Sequence, residues 1–509
     1  MQVTTQEELT HPPAALISNN PLQWFRFFGP GAIIASVTIG SGEILFPSRG
    51  GAIFGYRVLY IFLFIALLKW VLAYCSMRHL ILTGAHPLKR WGYIRGPKGW
   101  LPLFMFAIFA FTIPLWYSFL AGLTGLTCAW IFGMGNHYMW ATAFVAVAVL
   151  LLIVGNYDFL ERVQTGILAV KVGCILVAVF YVGPEWLAVA KGLVPRPLEY
   201  PDWLFGVLPE MKNRSVWVEV IVYASVIGGQ SFDYLAYVSF LRDKKWGRSH
   251  LEEANPHQLA QMAAQPNHPA RLWLRAALVD TVVSFAMVAI LSSAFCILGT
   301  VILQPQQRIP EGINLLNYQA SFLTTLSPWL LPIYKLAVFS AFFGILYGGP
   351  ELSYRVTFEY FNTFERWKGR LPLKAIRIAV VSWALGGGLV VLWLSRVFPG
   401  VQLIDVITPA GIYSGVLGCG FYCFANPWMD WRFLPRPMRM PGALVILNVL
   451  SGIAFTAMGL KALWDYGQVK AFLTLAALIL GCILLATCFR FLHRLPAESQ
   501  QCKPQSTHS

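Results

Sequence analysis

Residues 27–47 read FFGPGAIIASVTIGSGEILFP, and residues 216–240 read VWVEVIVYASVIGGQSFDYLAYVSF. Each is apolar and long enough to cross a bilayer core of ~30 Å, which takes about 20 residues of helix. Each is also interrupted in its middle. The first breaks at Gly40-Ser41-Gly42-Glu43 and the second at Gly228-Gly229-Gln230-Ser231, with Asp233 close behind. A glycine costs a helix interior about 1 kcal/mol against alanine. Irregular backbone at membrane depth also frees amides and carbonyls that lipid cannot satisfy, so it persists where protein or a water-filled cavity supplies partners. Small-residue runs also allow close helix packing without any break. The recurrence of the pattern in a second span favours interruption.

The rest of the chain reads as more membrane. Of 509 residues, 57% are hydrophobic and 12% charged, with a mean hydropathy of +0.60. That leaves too little polar surface for a soluble domain. Apolar runs define about twelve spans, near 27–47, 56–85, 100–133, 138–155, 163–183, 216–240, 275–302, 326–354, 375–397, 401–425, 443–464 and 469–492. Five crossings separate the first span from the sixth, so the two interrupted helices run in opposite directions. This spacing predicts an all-α integral membrane fold with a five-plus-five inverted repeat. Secondary transporters of that kind bind cargo between the broken segments near the bilayer midplane. The repeats fall roughly at 27–183 and 216–425, with extra helices over 443–492. All lie in one membrane domain, 27–492, between a polar N-terminus, 1–26, and a polar tail, 493–509.

The net charge of +15 resides in short clusters between spans. Arg78, Lys89, Arg90, Arg95 and Lys98 follow the second span, and Arg242, Lys244, Lys245 and Arg248 follow the sixth. Arg366, Lys368, Arg370 and Lys374 follow the eighth, and Arg432, Arg436 and Arg439 the tenth. The intervening loops are poor in such residues, apart from a mixed-charge stretch at 184–214. Positive loops stay inside, which places both termini in the cytoplasm of a multi-pass plasma (inner) membrane protein. No basic stripe accompanies a soluble fold, so no nucleic-acid partner is expected; the partners are the bilayer and a transported cation. The cysteines sit mostly in apolar runs, where a thiol packs as a small hydrophobe. Cys419 and Cys423 share a helix face without a histidine to complete a metal site. No phosphate loop, zinc-protease motif or serine-nucleophile motif is present. That disfavours an ATP-driven pump and an enzyme, and no cofactor is expected.

The chemistry concentrates at the breaks. Glu43 and Asp233 are intramembrane carboxylates, which need a partner or water. Ser41, Gln230 and Ser231 add neutral oxygens, while Gly40 and Gly229 offer backbone ones. An oxygen-rich site with two acids suits a cation, with Glu43, Gln230 and Asp233 as its side-chain ligands. Glu351 and Arg355 stand four apart and pair along one helix face, as a structural pair or as part of a pathway or gate. Asp405, ahead of Thr408-Pro409, is a cap or a gate. Lys69 and Lys171 lie deep enough to face an aqueous pathway; Lys335 can snorkel from its helix start, and Asp280 is expected near the interface.

At these residues the sequence resembles the Nramp family of divalent metal transporters, in its divergent Nramp-like branch. Gly29-Pro30-Gly31, the element 40–43, Gly50-Gly51-Ala52 and Phe54-Gly55-Tyr56 follow the family's first-helix pattern. The family's metal-binding Asp-Pro-Gly-Asn reads here Gly40-Ser41-Gly42-Glu43. Its sixth-helix Met-Pro-His reads Gly229-Gln230-Ser231, and its later Tyr-Leu-His reads Tyr234-Leu235-Ala236. The resemblance implies a LeuT-type fold and a symporter of metal ions working by alternating access. The departures remove the soft thioether ligand, one acid and two histidines, and leave hard oxygen chemistry suited to magnesium, calcium or a monovalent cation. The alternative is a sodium- or proton-coupled symporter of a small organic solute. A membrane enzyme with Glu43 and Asp233 as an acid–base pair, or a sensor that kept the scaffold, stands further off.

Overall fold

The computed structural model describes residues 11–27, 41–154, 166, 169, 172–173, 175–310, 314–324, 327–364, 369–397 and 403–488. The described residues contain helices and no strand. Eleven helices carry the argument: α1 (Ser41–Phe54), α2 (Leu59–Thr83), α3 (Trp100–Phe132), α4 (His137–Val154), α5 (Val216–Val226) and α6 (Ser231–Lys244). They continue with α7 (Leu274–Leu298), α8 (Leu331–Thr363), α9 (Leu373–Ser395), α10 (Val406–Phe433) and α11 (Gly442–Cys488).

Among the described residues seven helical runs are long and apolar enough to cross a membrane, or eight if the sharply bent pair Ile175–Val182 and Trp186–Gly192 counts as one. This count covers the described residues alone, and within them some expected spans are divided and others joined. The sixth span is cut into α5 and α6, each too short alone, and α4 contributes a shorter apolar helix. A single 3-10 turn, Gly55–Val58, joins α1 to α2, so two expected spans run together. The 47 residues of α11 would extend about 70 Å at 1.5 Å per residue, over twice the bilayer core. The run is not straight: Gln468 leaves helical geometry at φ 47, ψ −135. Residues 28–40, which are most of the expected first span and include Gly40, part of the expected fifth span with Lys171, and the terminal segments 1–10 and 489–509 lie outside the described residues.

Two groups of helices emerge from the packing. α1 and α2 lie against α7, with α5 on α1 and α6 on α2, while α3 packs on α4, α8 and α9. α10 runs along α11 and meets α5, and α6 touches α8. Close backbone approach holds the first group together. A Cβ at Gly42 would stand 2.8 Å from the Val226 carbonyl, so α1 rests directly on the end of α5.

The basic loops at one end clasp each other. Arg248 N–H donates to the Ile81 carbonyl (2.9 Å) and Ala254 N–H to the Thr83 carbonyl (2.8 Å). Lys89 reaches Glu253 at 2.6 Å, and Arg90 pairs with the same carboxylate. Burial opposes charge on Glu253, but Arg90 and Lys89 outweigh it and hold the carboxyl below its ordinary range. Asp280, expected near the interface, is buried within the protein and accepts a hydrogen bond from Tyr237 of α6 (2.6 Å). Lys335 lies 4.7 Å over the Trp130 ring. The described cysteines are free thiols, and Cys419 and Cys423 are buried.

Candidate cation site

The second of the two expected interruptions is plain. α5 stops at Val226, Ile227 is extended, and Gly228 and Gly229 take φ values of +75 and +89. Side chains rarely adopt that left-handed region, which is why glycines stand there. Gln230 then caps α6, and its N–H donates to Asp233 Oδ2 at 2.7 Å. A carboxylate three residues into a helix closes a capping box and complements the positive end of the helix dipole.

Of the first expected interruption, Ser41, Gly42 and Glu43 lie in α1, and residues 28–40 ahead of them lie outside the described residues. Gly40 lies outside the described residues, as do the side chains of Ser41 and Glu43.

Between these elements lies a cavity of about 110 Å³. Gly42 of α1, Gly229, Gln230 and Asp233 of the break, Thr112, Trp116 and Tyr117 of α3, and Gly349 and Ser353 of α8 line it, with Phe109 and Phe232 adding aromatic wall. Asp233 is the one carboxylate among the described lining residues. It is half-buried, as is Gln230. Tyr117 and Ser353 hydroxyls meet at 3.2 Å across α3 and α8.

The carbonyls freed by the break are served by side chains. Lys69 of α2, fully buried, donates to Ile227 O at 2.7 Å and to Gly229 O at 2.5 Å. Tyr234 donates to Gly228 O at 2.5 Å. The backbone oxygens of the sixth-span break therefore already accept hydrogen bonds from the protein. Ser231 does not line the cavity; it is buried and donates to the Ser414 carbonyl at 2.9 Å. Ser414 sits on a π-helical turn of α10, Gly411–Leu417, a local widening common at functional sites. Its hydroxyl lies against Ala410 O and the Gln230 side-chain oxygen.

Glu351 and Arg355 stand apart from the cavity. Arg355 lies 3.5 Å from Glu351 and 2.5 Å from Asp243 of α6, and Arg377 of α9 lies 3.6 Å from Glu351. Arg242 of α6 meets Glu359 of α8 at 2.8 Å. Asp405 lies on the helix Leu403–Ala410, and its side chain is outside the described residues. Among the described residues no group of three His, Cys, Asp or Glu forms a metal-binding cluster.

Sequence reading missed the tie on the far side of the break. Arg49 of α1 and Glu219 of α5 meet in a two-pronged pair, 3.2 Å on each prong, and Tyr223 adds a hydrogen bond of 3.2 Å. A lone acid and a lone base in corresponding apolar stretches were the available signal. Trp116, Tyr117 and Ser414 gave none, since they look like ordinary membrane-helix residues.

Comparison with known proteins bears on the fold and the family. The sequence model described as natural resistance-associated macrophage protein-like matches residues 31–408. None of the curated proteins compared matches the chain. Among solved structures, a mutant of the Eremococcus coleocola manganese transporter has a TM-score of 0.68 at 12% identity, covering 96% of this chain and 98% of that one. The same transporter in complex with an aromatic bis-isothiourea compound gives 0.67 at 14%, covering 93% and 95%. The nucleobase–cation symporter Mhp1, closed around bromovinylhydantoin, gives 0.50 at 15%, covering 93% and 94%. At such identities the likeness speaks for the fold alone.

Proposed function

We propose a cargo and a working cycle for this chain, which belongs to the Nramp family and is a metal-ion transporter of the membrane rather than an enzyme. The cargo is a divalent metal ion, and the cycle is alternating access on a LeuT-type five-plus-five inverted repeat of about twelve helices. The protein lies in the plasma membrane with both termini cytoplasmic. One observation carries the reading: the cavity at the α5–α6 break, with Asp233 as its described carboxylate. Gln230 and Glu43 complete the side-chain ligands, and Gly40, Ser41 and Ser231 shape the backbone around them. The manganese transporters of the same fold support a divalent cargo. With hard oxygens in place of a thioether, the site favours magnesium or calcium over iron.

In this cycle α1 and α5 move as one body, joined by Arg49 and Glu219. α6 swings away from α8 by parting Arg242 from Glu359 and Arg355 from Asp243, with Glu351 holding Arg355 in reach. Asp405 guards the opposite approach along α10.

A second reading, coupled symport of a small organic solute, draws on the aromatic walls Phe109, Trp116, Tyr117 and Phe232. Proteoliposomes given Mg²⁺, Ca²⁺, Mn²⁺, amino acids and hydantoins, with and without sodium and proton gradients, separate the two. Divalent-ion uptake that is lost in Glu43→Gln supports the first reading. Organic-solute uptake without divalent-ion uptake replaces it with the second.

A further inference from the structure

A charged lysine is an unusual choice for the inside of a membrane bundle, where ionisable groups are rare and mark function or pair with partners. Lys69 is fully buried and its ammonium is aimed at main-chain oxygen: Ile227 O at 2.7 Å and Gly229 O at 2.5 Å. These carbonyls are the negative end of α5 and its unwound continuation, the place on a broken membrane helix where monovalent ions are coordinated. A neutral donor suffices to satisfy such a carbonyl. Tyr234 does so for Gly228 O one residue away. The protein nevertheless brings a lysine amine from a different helix to the two flanking oxygens, at a break whose Gly229 lines the cargo cavity.

We infer that Lys69 is a tethered monovalent cation: its ammonium fills the carbonyl cage of the sixth-helix break and takes the place of a freely exchanging sodium ion beside the cargo. The inference rests on the reading of the α5–α6 break as the transport site, and it concerns the coupling ion rather than the cargo. Two consequences follow. Transport by the intact protein is independent of sodium, because the cage is served at every turn of the cycle by a group that cannot leave. Removing the charge opens the cage to a free ion of the same charge and ligand preference, and sodium is well matched to a shell of neutral oxygens.

The test compares the intact protein with Lys69→Met and Lys69→Gln, in detergent and in proteoliposomes, with NaCl replaced by choline chloride at constant ionic strength. Lys69→Met takes the lysine donor from Ile227 O and Gly229 O; Lys69→Gln leaves a neutral donor and guards against a failure of the first variant to fold. The expected result is a thermal midpoint indifferent to sodium in the intact protein and saturably raised by sodium in at least one variant. The half-saturating sodium concentration is expected at least tenfold below any weak effect in the intact protein. Lys69→Arg, which keeps the charge, stays indifferent. A merely structural lysine would lower stability in the variants equally in sodium and in choline, and that result overturns the inference. Sodium-dependent stabilisation of the intact protein overturns it as well. The outcomes stay separate from the cargo reading. A variant that gains sodium dependence while the intact protein moves no divalent ion sustains the inference and removes the cargo assignment. Divalent uptake with no gain in any variant does the reverse.

Discussion

The two halves of the broken sixth span are anchored in opposite ways. α5 is tied to α1 by Arg49 and Glu219, whose side chains are only 7% and 3% exposed. α6 is tied to α8 by Arg242–Glu359, at 34% and 6%, and by Arg355–Asp243, at 22% and 56%. Removing one partner of a buried pair leaves an uncompensated charge and costs about 3–5 kcal/mol, whereas an exposed pair such as Arg355–Asp243 is worth about 0–1 kcal/mol. In the proposed cycle the first tie lasts and the second opens and closes. On that proposal one continuous strip of sequence carries a fixed half and a movable half, with the break at Ile227–Gln230 as its hinge.

The largest expected effect falls on the fixed half. Arg49→Ala should lower stability by about 3–5 kcal/mol, read as a fall in the thermal midpoint of the purified protein. Arg49→Ala with Glu219→Ala together should cost less than Arg49→Ala alone, because no buried charge is stranded. Equal losses would mean that the pair does not bind α1 to α5 as described.

At the hinge, Tyr234→Phe takes the donor from Gly228 O and leaves a buried carbonyl with one partner fewer. A loss of about 1–3 kcal/mol is expected, again from thermal unfolding. No change would show that the hinge carbonyl finds another donor and that its geometry is not held by Tyr234.

The hinge itself was legible because its cause is local. Two adjacent glycines in an apolar run, followed by a polar residue and an acid at capping distance, dictate a break and a new helix start. The occupant of the hinge was not legible. Lys69 lies 158 residues from Ile227, and nothing in its own neighbourhood distinguishes a lysine that reaches carbonyls from one that faces water. Ser414 was invisible for the same reason, since its link to Gln230 depends on a π-turn in α10. Hydropathy likewise does not anticipate the single 3-10 turn that joins α1 to α2.

A smaller effect is expected on the movable half. Arg355→Ala should change stability by no more than about 1 kcal/mol while opening the cavity from the end bearing the basic loops. Maleimide labelling of a cysteine introduced at Thr112 should speed up in that variant and stay unchanged in Arg49→Lys. Equal labelling in both would erase the distinction between the two ties.

The smallest effect concerns the clasp of basic loops beside α6. Glu253 is held below the ordinary glutamate value of about 4.3 by Arg90 and Lys89 against the opposing pull of burial. Its contribution to stability is therefore present above that value and fades as pH falls through its lower folded-state pKa. Glu253→Gln should flatten the acid side of a plot of thermal midpoint against pH and leave the midpoint's trend above pH 6 nearly unchanged. A variant as acid-sensitive as the intact protein would show that the clasp is not what acid releases.

The claim on which the rest depends is that cargo is held at the hinge, by the carboxylate that opens α6. Initial rates of Mg²⁺, Ca²⁺ and Mn²⁺ entry into proteoliposomes, measured for the intact protein and for Asp233→Asn at matched reconstitution, address it most directly. The account predicts entry of at least one ion through the intact protein, a tenfold or greater fall in Asp233→Asn, and thermal midpoints for the two within a few degrees. Entry undiminished in Asp233→Asn would contradict it.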